Sequence, residues 1–284
     1  MTPPMVKQPL FVLILTDLDG TLLDNETYEW TEAEPALELC RRSGVPVILV
    51  SSKTSAEMDV LRQAMGLTVP FISENGGGIF FPVEGEGRPP SEALLSEGLW
   101  KWPLGLSYDR LVKAFREIRE TLGMTMRGFS DMTPEEIGHM TGLDRASSLL
   151  ASRREYDEPF LVQGNGTVNM ERLCRAAGGK GLQITSGGRF YHLHGNVDKG
   201  EAVAKLISWY RESYSRVFSV ALGDSPNDFS MLKRVDCPVL VRSSKHFEGI
   251  EEKIQGVRIT REMGPRGWNS AVLDILHGKG LGRG

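Results

Sequence analysis

The sequence predicts an α/β protein in which a mostly parallel sheet is interrupted by an inserted α+β segment. A continuous apolar run at residues 10–15 and largely apolar runs at 45–50, 217–222 and 238–241 recur along the chain, as in strands covered on both faces. Helical stretches at 31–43, 54–65 and 201–214 alternate with them, which gives an open sheet whose ligands sit at the carboxyl ends of its strands. In the middle of the chain the alternation stops. A Gly/Pro/Glu-rich stretch at 82–90 leads into segments rich in charge and aromatics, and the α/β pattern resumes near Asp198 and runs to about His277.

Leu10-Phe-Val-Leu-Ile-Leu15 has no polar position, so it reads as a buried strand. It is far too short to cross a bilayer, and no basic leader with a cleavage site precedes it. After the strand ending at Val50, Thr54-x-x-Glu57 is a capping box that starts a helix. Thr133-Pro-Glu-Glu136 has the same form, with proline at the first helical position. Tyr191-His-Leu-His194 reads as a strand running back towards the core. Ser225-Pro-Asn-Asp228 is a third helix start. The expected domains are a core of residues 1–84 and 194–284, with 85–193 inserted in it, and residues 278–284 as a frayed tail.

Composition narrows the function. The 284 residues carry 33 basic and 37 acidic side chains, a net charge of −4, which disfavours nucleic acid and anionic membranes as partners. Cys40, Cys174 and Cys237 are widely spaced and form no C-x-x-C pair. That argues against a disulfide framework or a structural zinc site, and for a reducing cytoplasm.

The chemistry gathers at strand ends. Asp17-Leu-Asp19-Gly20-Thr21 places two carboxylates at the end of the first strand, where Gly20 lets the backbone bend behind them. Taken alone, the motif is equally an acidic turn after a strand. Gly223-Asp224-Ser-Pro-Asn227-Asp228 follows another buried strand, and the helix cap accounts for Asp228 but not for Asp224. Two such anions about 4 Å apart repel by roughly 4 kcal/mol at an effective dielectric near 20. A cluster of them calls for a divalent cation with oxygen ligands, Mg2+ where phosphate is also present. Lys199 and Ser51 would complete the set, although a lone lysine is more often a solvated charge at a helix start and a lone serine is as simply a helix-start residue.

Together, Asp17-x-Asp19, Ser51, Lys199 and Gly223-Asp224-x-x-Asn227-Asp228 resemble the haloacid dehalogenase-like phosphohydrolase superfamily, in the branch whose cap domain lies between the second and third motifs. Ser51-Ser-Lys-Thr-Ser-Ala-Glu57, Ser73-Glu-Asn-Gly-Gly77, Arg154-Glu-Tyr-Asp-Glu-Pro-Phe160, Ser186-Gly-Gly-Arg189 and Gly267-Trp-Asn269 are similar to the mannosyl-3-phosphoglycerate phosphatase family within it. The resemblance implies a Rossmann-like core with an α+β cap and hydrolysis of a small phosphorylated sugar acid. Asp17 would be the nucleophile and form an aspartyl-phosphate, and Asp19 the general acid and base. Ser51 and Lys199 would bind the transferring oxygens. Mg2+ would sit on Asp17, the Asp19 backbone carbonyl and Asp224, with Asn227 and Asp228 orienting Lys199 or a metal-bound water. Lys53, Arg154, Ser186, Gly187, Gly188 and Arg189 would bind the substrate. Glucosyl-3-phosphoglycerate, sucrose phosphate or trehalose phosphate remain alternative substrates, a phosphomutase an alternative reaction, and the oligomeric state stays open. His192 and His194 lack a third metal ligand and read as structural.

Overall fold

The structure, a computed structural model, describes residues 10–85, 87–163, 169–187, 189–244 and 247–282. From the amino end come β1 (Phe11–Thr16), α1 (Glu34–Arg42), β2 (Val47–Leu49), α2 (Ser55–Ala64), β3 (Phe71–Ser73), β4 (Gly78–Pro82), β5 (Leu94–Ser96) and β6 (Leu99–Pro103). There follow α3 (Tyr108–Leu122), β7 (Met126–Gly128), α4 (Pro134–Thr141), α5 (Arg145–Ala151), β8 (Asp157–Val162), α6 (Met170–Gly178), β9 (Gln183–Gly187) and β10 (Phe190–His194). The last third holds α7 (Lys199–Ser213), β11 (Val217–Gly223), α8 (Phe229–Leu232), β12 (Cys237–Arg242), α9 (Ile250–Lys253), β13 (Arg258–Met263) and α10 (Gly264–Gly278).

Packing divides the chain into two units, Met1–Val50 with Lys199–Gly284, and Ser51–Asp198. The first is built on a parallel five-stranded sheet in the order β13-β12-β11-β1-β2. Leu13, Ile14 and Leu15 on β1 and Val220, Ala221 and Leu222 on β11 have no exposed surface, which is why both strands are largely apolar; the buried exceptions, Thr16 and Ser219, are hydrogen-bonded to Trp268 and Asp236. The chain runs from β1 outward to β2 and later returns to β11 on the other side of β1. The sheet order therefore reverses between β1 and β11, the point beyond whose carboxyl ends open α/β sheets bind their ligands. Trp268 on α10 is fully buried and donates its indole N–H to the Thr16 hydroxyl at 2.9 Å, while the Asn269 side chain accepts from the Ala36 amide. The Gly-Trp-Asn signature thus ties α10 to β1 and α1.

The second unit contains two antiparallel sheets, β3-β4-β6-β5 and β7-β8-β10-β9. Leu111, Phe115 and Ile118 of α3 and Leu173 of α6 pack with Phe160 and Leu193 on one face of the latter sheet. Side chains alternate across a strand, so Asp157 and His192 lie on the opposite face. The capping boxes at Thr54 and Thr133 both form.

Candidate active site

Asp17 directly follows β1, and its amide continues the ladder by donating to the Leu222 carbonyl of β11. The next residues turn sharply: the Gly20 amide donates to the Leu23 carbonyl, and the Thr21 and Leu23 amides donate to Leu18. Gly20 has φ of +77°, a conformation that costs side-chain-bearing residues. A Cβ there would lie 3.0 Å from Asp224 Oδ2. Asp224 follows β11, the neighbour of β1 in the sheet. The reversal of strand order thus brings the two carboxylates together from opposite ends of the chain.

Lys199, the first residue of α7, is sealed from solvent with a side chain only 1% exposed. Its ammonium donates to Asp17 Oδ1 at 2.6 Å and to Asp228 Oδ1 at 2.7 Å. Burial works against this charge, but the two carboxylates outweigh it and raise the Lys199 pKa. At Asp17, burial and the Asp228 charge prevail over Lys199 and push the carboxyl up to about 7. Asp228 Oδ2 accepts from the Asp224 and Ser225 amides and the Ser225 hydroxyl. A Cβ on Gly223 would fall 2.4 Å from the Asp228 Cβ, so glycine is required where the turn folds over this carboxylate. Asn227 is exposed on the same turn.

Asp17, Asp224 and Asp228 each offer a carboxylate oxygen within 4.8 Å of the others. The donor set is all oxygen and suits a hard divalent cation. Asp228 is the most fully bonded of the three, since Lys199 takes one of its oxygens and the turn at Asp224 and Ser225 takes the other. Such an ion would offset the repulsion that raises Asp17.

The remaining expected site residues lie in the second unit. Ser51 is buried, its hydroxyl accepts from the Lys53 amide at 3.2 Å, and Lys53 is half-buried. Ser186 is exposed and pairs with Tyr191, and Gly187 pairs with Phe190. Gly188 lies outside the described residues. Arg189 is exposed and donates to the Met140 carbonyl. Arg154 is different, because its guanidinium is buried and turned inward onto Asp157 and the Ser52 carbonyl.

The chain belongs to the haloacid dehalogenase-like hydrolase family, whose model matches residues 14–88 and 171–246. It is 39% identical over 266 residues, 93% of this chain and 97% of the relative, to the glucosyl-3-phosphoglycerate/mannosyl-3-phosphoglycerate phosphatase of Methanococcoides burtonii. A protein of the same name from Persephonella marina is 36% identical over 278 residues, 94% of this chain and 97% of its own length. Among solved structures, Thermoplasma acidophilum 0175 superposes with a TM-score of 0.66 at 20% identity, over 96% of this chain and all of that one. That likeness establishes the shared fold.

Sequence reasoning quoted Glu74, Asp157 and Thr21 within motifs but gave none of them a role. Glu74 and Asn75 adopt left-handed φ of +48° and +58°, and the Asn75-Gly76 pair was the available signal. Asp157 stands three residues after Arg154, but its other partner, His192, is brought close only by the pairing of β8 with β10. Thr21 donates a long 3.4 Å hydrogen bond to Asp17 Oδ2.

Proposed function

We propose that the chain is a Mg2+-dependent phosphomonoester hydrolase that releases phosphate from mannosyl-3-phosphoglycerate and from its glucosyl counterpart. The observation that carries this reading is the buried Lys199 ammonium shared by Asp17 and Asp228 beside Asp224. Phosphoryl transfer is mainly a problem of placing charge around the migrating group, and this cluster supplies it. The activities named for the two relatives support the substrate class.

In this reading an Asp17 oxygen attacks phosphorus while the bond from phosphorus to the glycerate oxygen breaks, and Asp19 gives that oxygen its proton. Asp19 then takes a proton from the water that attacks the aspartyl-phosphate, so phosphate leaves and Asp17 is restored. Lys199 and Ser51 bind the transferring oxygens. Asp228 keeps Lys199 aimed, and Asn227 assists from the same turn. Mg2+ held by Asp17, the Asp19 carbonyl and Asp224 would screen the nucleophile from the anionic substrate.

Residues 85–193 act as the cap and 1–84 with 194–284 as the core; the break in the family match between 88 and 171 supports an insertion there. Lys53, Ser186, Gly187, Gly188 and Arg189 contact the sugar acid, with Arg189 offering a planar fork for the carboxylate. The wide spacing of Cys40, Cys174 and Cys237, with no C-x-x-C pair, supports a reducing cytoplasm as the setting.

A panel of sugar phosphates with and without the glycerate carboxylate tests the proposal by phosphate release. The expected result is a preference for carboxylate-bearing substrates that disappears without Mg2+. Indifference to the carboxylate would overturn the substrate assignment, and interconversion of phosphosugar isomers with little free phosphate would identify a mutase.

A further inference from the structure

The loop Ser51-Ser52-Lys53 is gripped at three successive carbonyls by three separate donors. The Asn75 amide donates to Ser51 at 3.0 Å and the Glu74 amide to Lys53 at 3.0 Å. Between them, the Arg154 Nη1 and Nη2 atoms donate to the Ser52 carbonyl at 3.2 and 3.3 Å. Both amides come from a turn in the left-handed region, which is strained for residues other than glycine.

That turn is held by the segment that carries the arginine. The Glu74 carboxylate accepts from the Glu155 amide at 2.9 Å and the Tyr156 amide at 2.7 Å. Residues 154–156 therefore hold the loop twice, through a guanidinium and through a carboxylate that braces the turn. Arg154 is fixed in its own right: Nε donates to the Asp157 carbonyl at 3.2 Å, and Nη2 pairs with Asp157 Oδ2. The same Asp157 oxygen meets His192 Nδ1 at 2.7 Å. The Arg154 side chain is 4% exposed and those of Glu74 and Asp157 not at all. So enclosed a fork is unsuited to meeting a substrate. It is well suited to fixing the backbone it touches, since a guanidinium offers several donors in one rigid plane.

We propose that Arg154 is a positioning residue: by clamping the Ser52 carbonyl, with Asp157 and His192 behind it, it sets the geometry of Ser51. This rests on the reading above in which the Ser51 hydroxyl binds the transferring phosphoryl oxygens. A lysine at 154 keeps the charge but cannot span Ser52 and Asp157 together. A shift of about 1 Å in a phosphate-binding group can cost on the order of 100-fold in rate.

The experiment compares wild type, Arg154→Lys and Asp157→Asn on two substrates, mannosyl-3-phosphoglycerate and p-nitrophenyl phosphate, which lacks a carboxylate. Inhibition by inorganic phosphate is measured alongside. Each variant should lose about 10- to 100-fold in kcat on both substrates alike, and its inhibition constant for phosphate should weaken. A double variant should cost no more than the worse single one. A merely structural role would lower the active fraction and leave the inhibition constant unmoved, which overturns the proposal. A loss confined to the carboxylate-bearing substrate would make Arg154 a substrate contact, and unchanged kcat would give it no role; either result overturns the proposal. Should Arg154→Lys fail to fold, Asp157→Asn decides by the same readings. A wild type that releases phosphate from neither substrate would instead refute the hydrolase reading on which the proposal stands.

Discussion

Asp228 holds Lys199 with one carboxylate oxygen, 2.7 Å from the ammonium, while its other oxygen caps the turn that begins at Ser225. One side chain thus fixes both the cation of the site and the loop that delivers Asp224. Asp228→Asn halves the charge around a sealed ammonium. The expected loss is about 1–3 kcal/mol of stability and about 10- to 100-fold in kcat, read by urea denaturation and phosphate release.

Asp17→Asn should separate chemistry from folding. The amide keeps an oxygen for Lys199 and relieves the repulsion from Asp228 that burial magnifies. Turnover should fall to background while stability stays within about 1 kcal/mol of wild type. Measurable turnover with the variant would refute the covalent route.

Divalent metal should stabilise the protein as well as activate it. Saturation of a site at a hundredfold excess over Kd adds about 2.7 kcal/mol, which for a chain of this size is roughly 5 °C in Tm. Thermal unfolding in EDTA and in Mg2+ should show that shift, and Asp224→Ala should erase it.

Glu74 gives a pH signature independent of the acid cluster. Burial, which prevails over the pull of Arg154, pushes its carboxyl up from 4.5 to about 7. Between those values the folded state keeps a proton that the unfolded chain releases. The stabilising contribution is therefore complete below about pH 4.5 and fades as pH climbs through 7. Relative to Glu74→Gln, which cannot titrate, wild type should lose up to roughly 3 kcal/mol between pH 5 and 8, measured by denaturant midpoints at each pH. A difference that stays constant with pH would refute the raised value.

The parallel core was legible because its physics is local. Strands buried on both faces must be largely apolar, as in β1 and β11, and helix starts carry their own caps, as at Thr54, Thr133 and Ser225. The meeting of Asp17 with Asp224 could be inferred because both follow such strands. The sheet β3-β4-β6-β5 was not foreseen, since two of its strands are only three residues long and too short to show a period. Arg154 was legible as a charge but not by its direction, because its partners Ser52 and Glu74 lie far away in sequence and nothing near residue 154 announces them.

The adjacency of β1 and β11 has a consequence for how the molecule is made. Phe11 leaves the ribosome long before Val217, its ladder partner, so the central pairing of the sheet waits on most of the chain. Closing so long a loop from a disordered middle is slow, and meanwhile β1 shows water two greasy faces. If Ser51–Asp198 condenses first, much of that loop is already ordered when β11 arrives, and less chain entropy is left to lose in the closure.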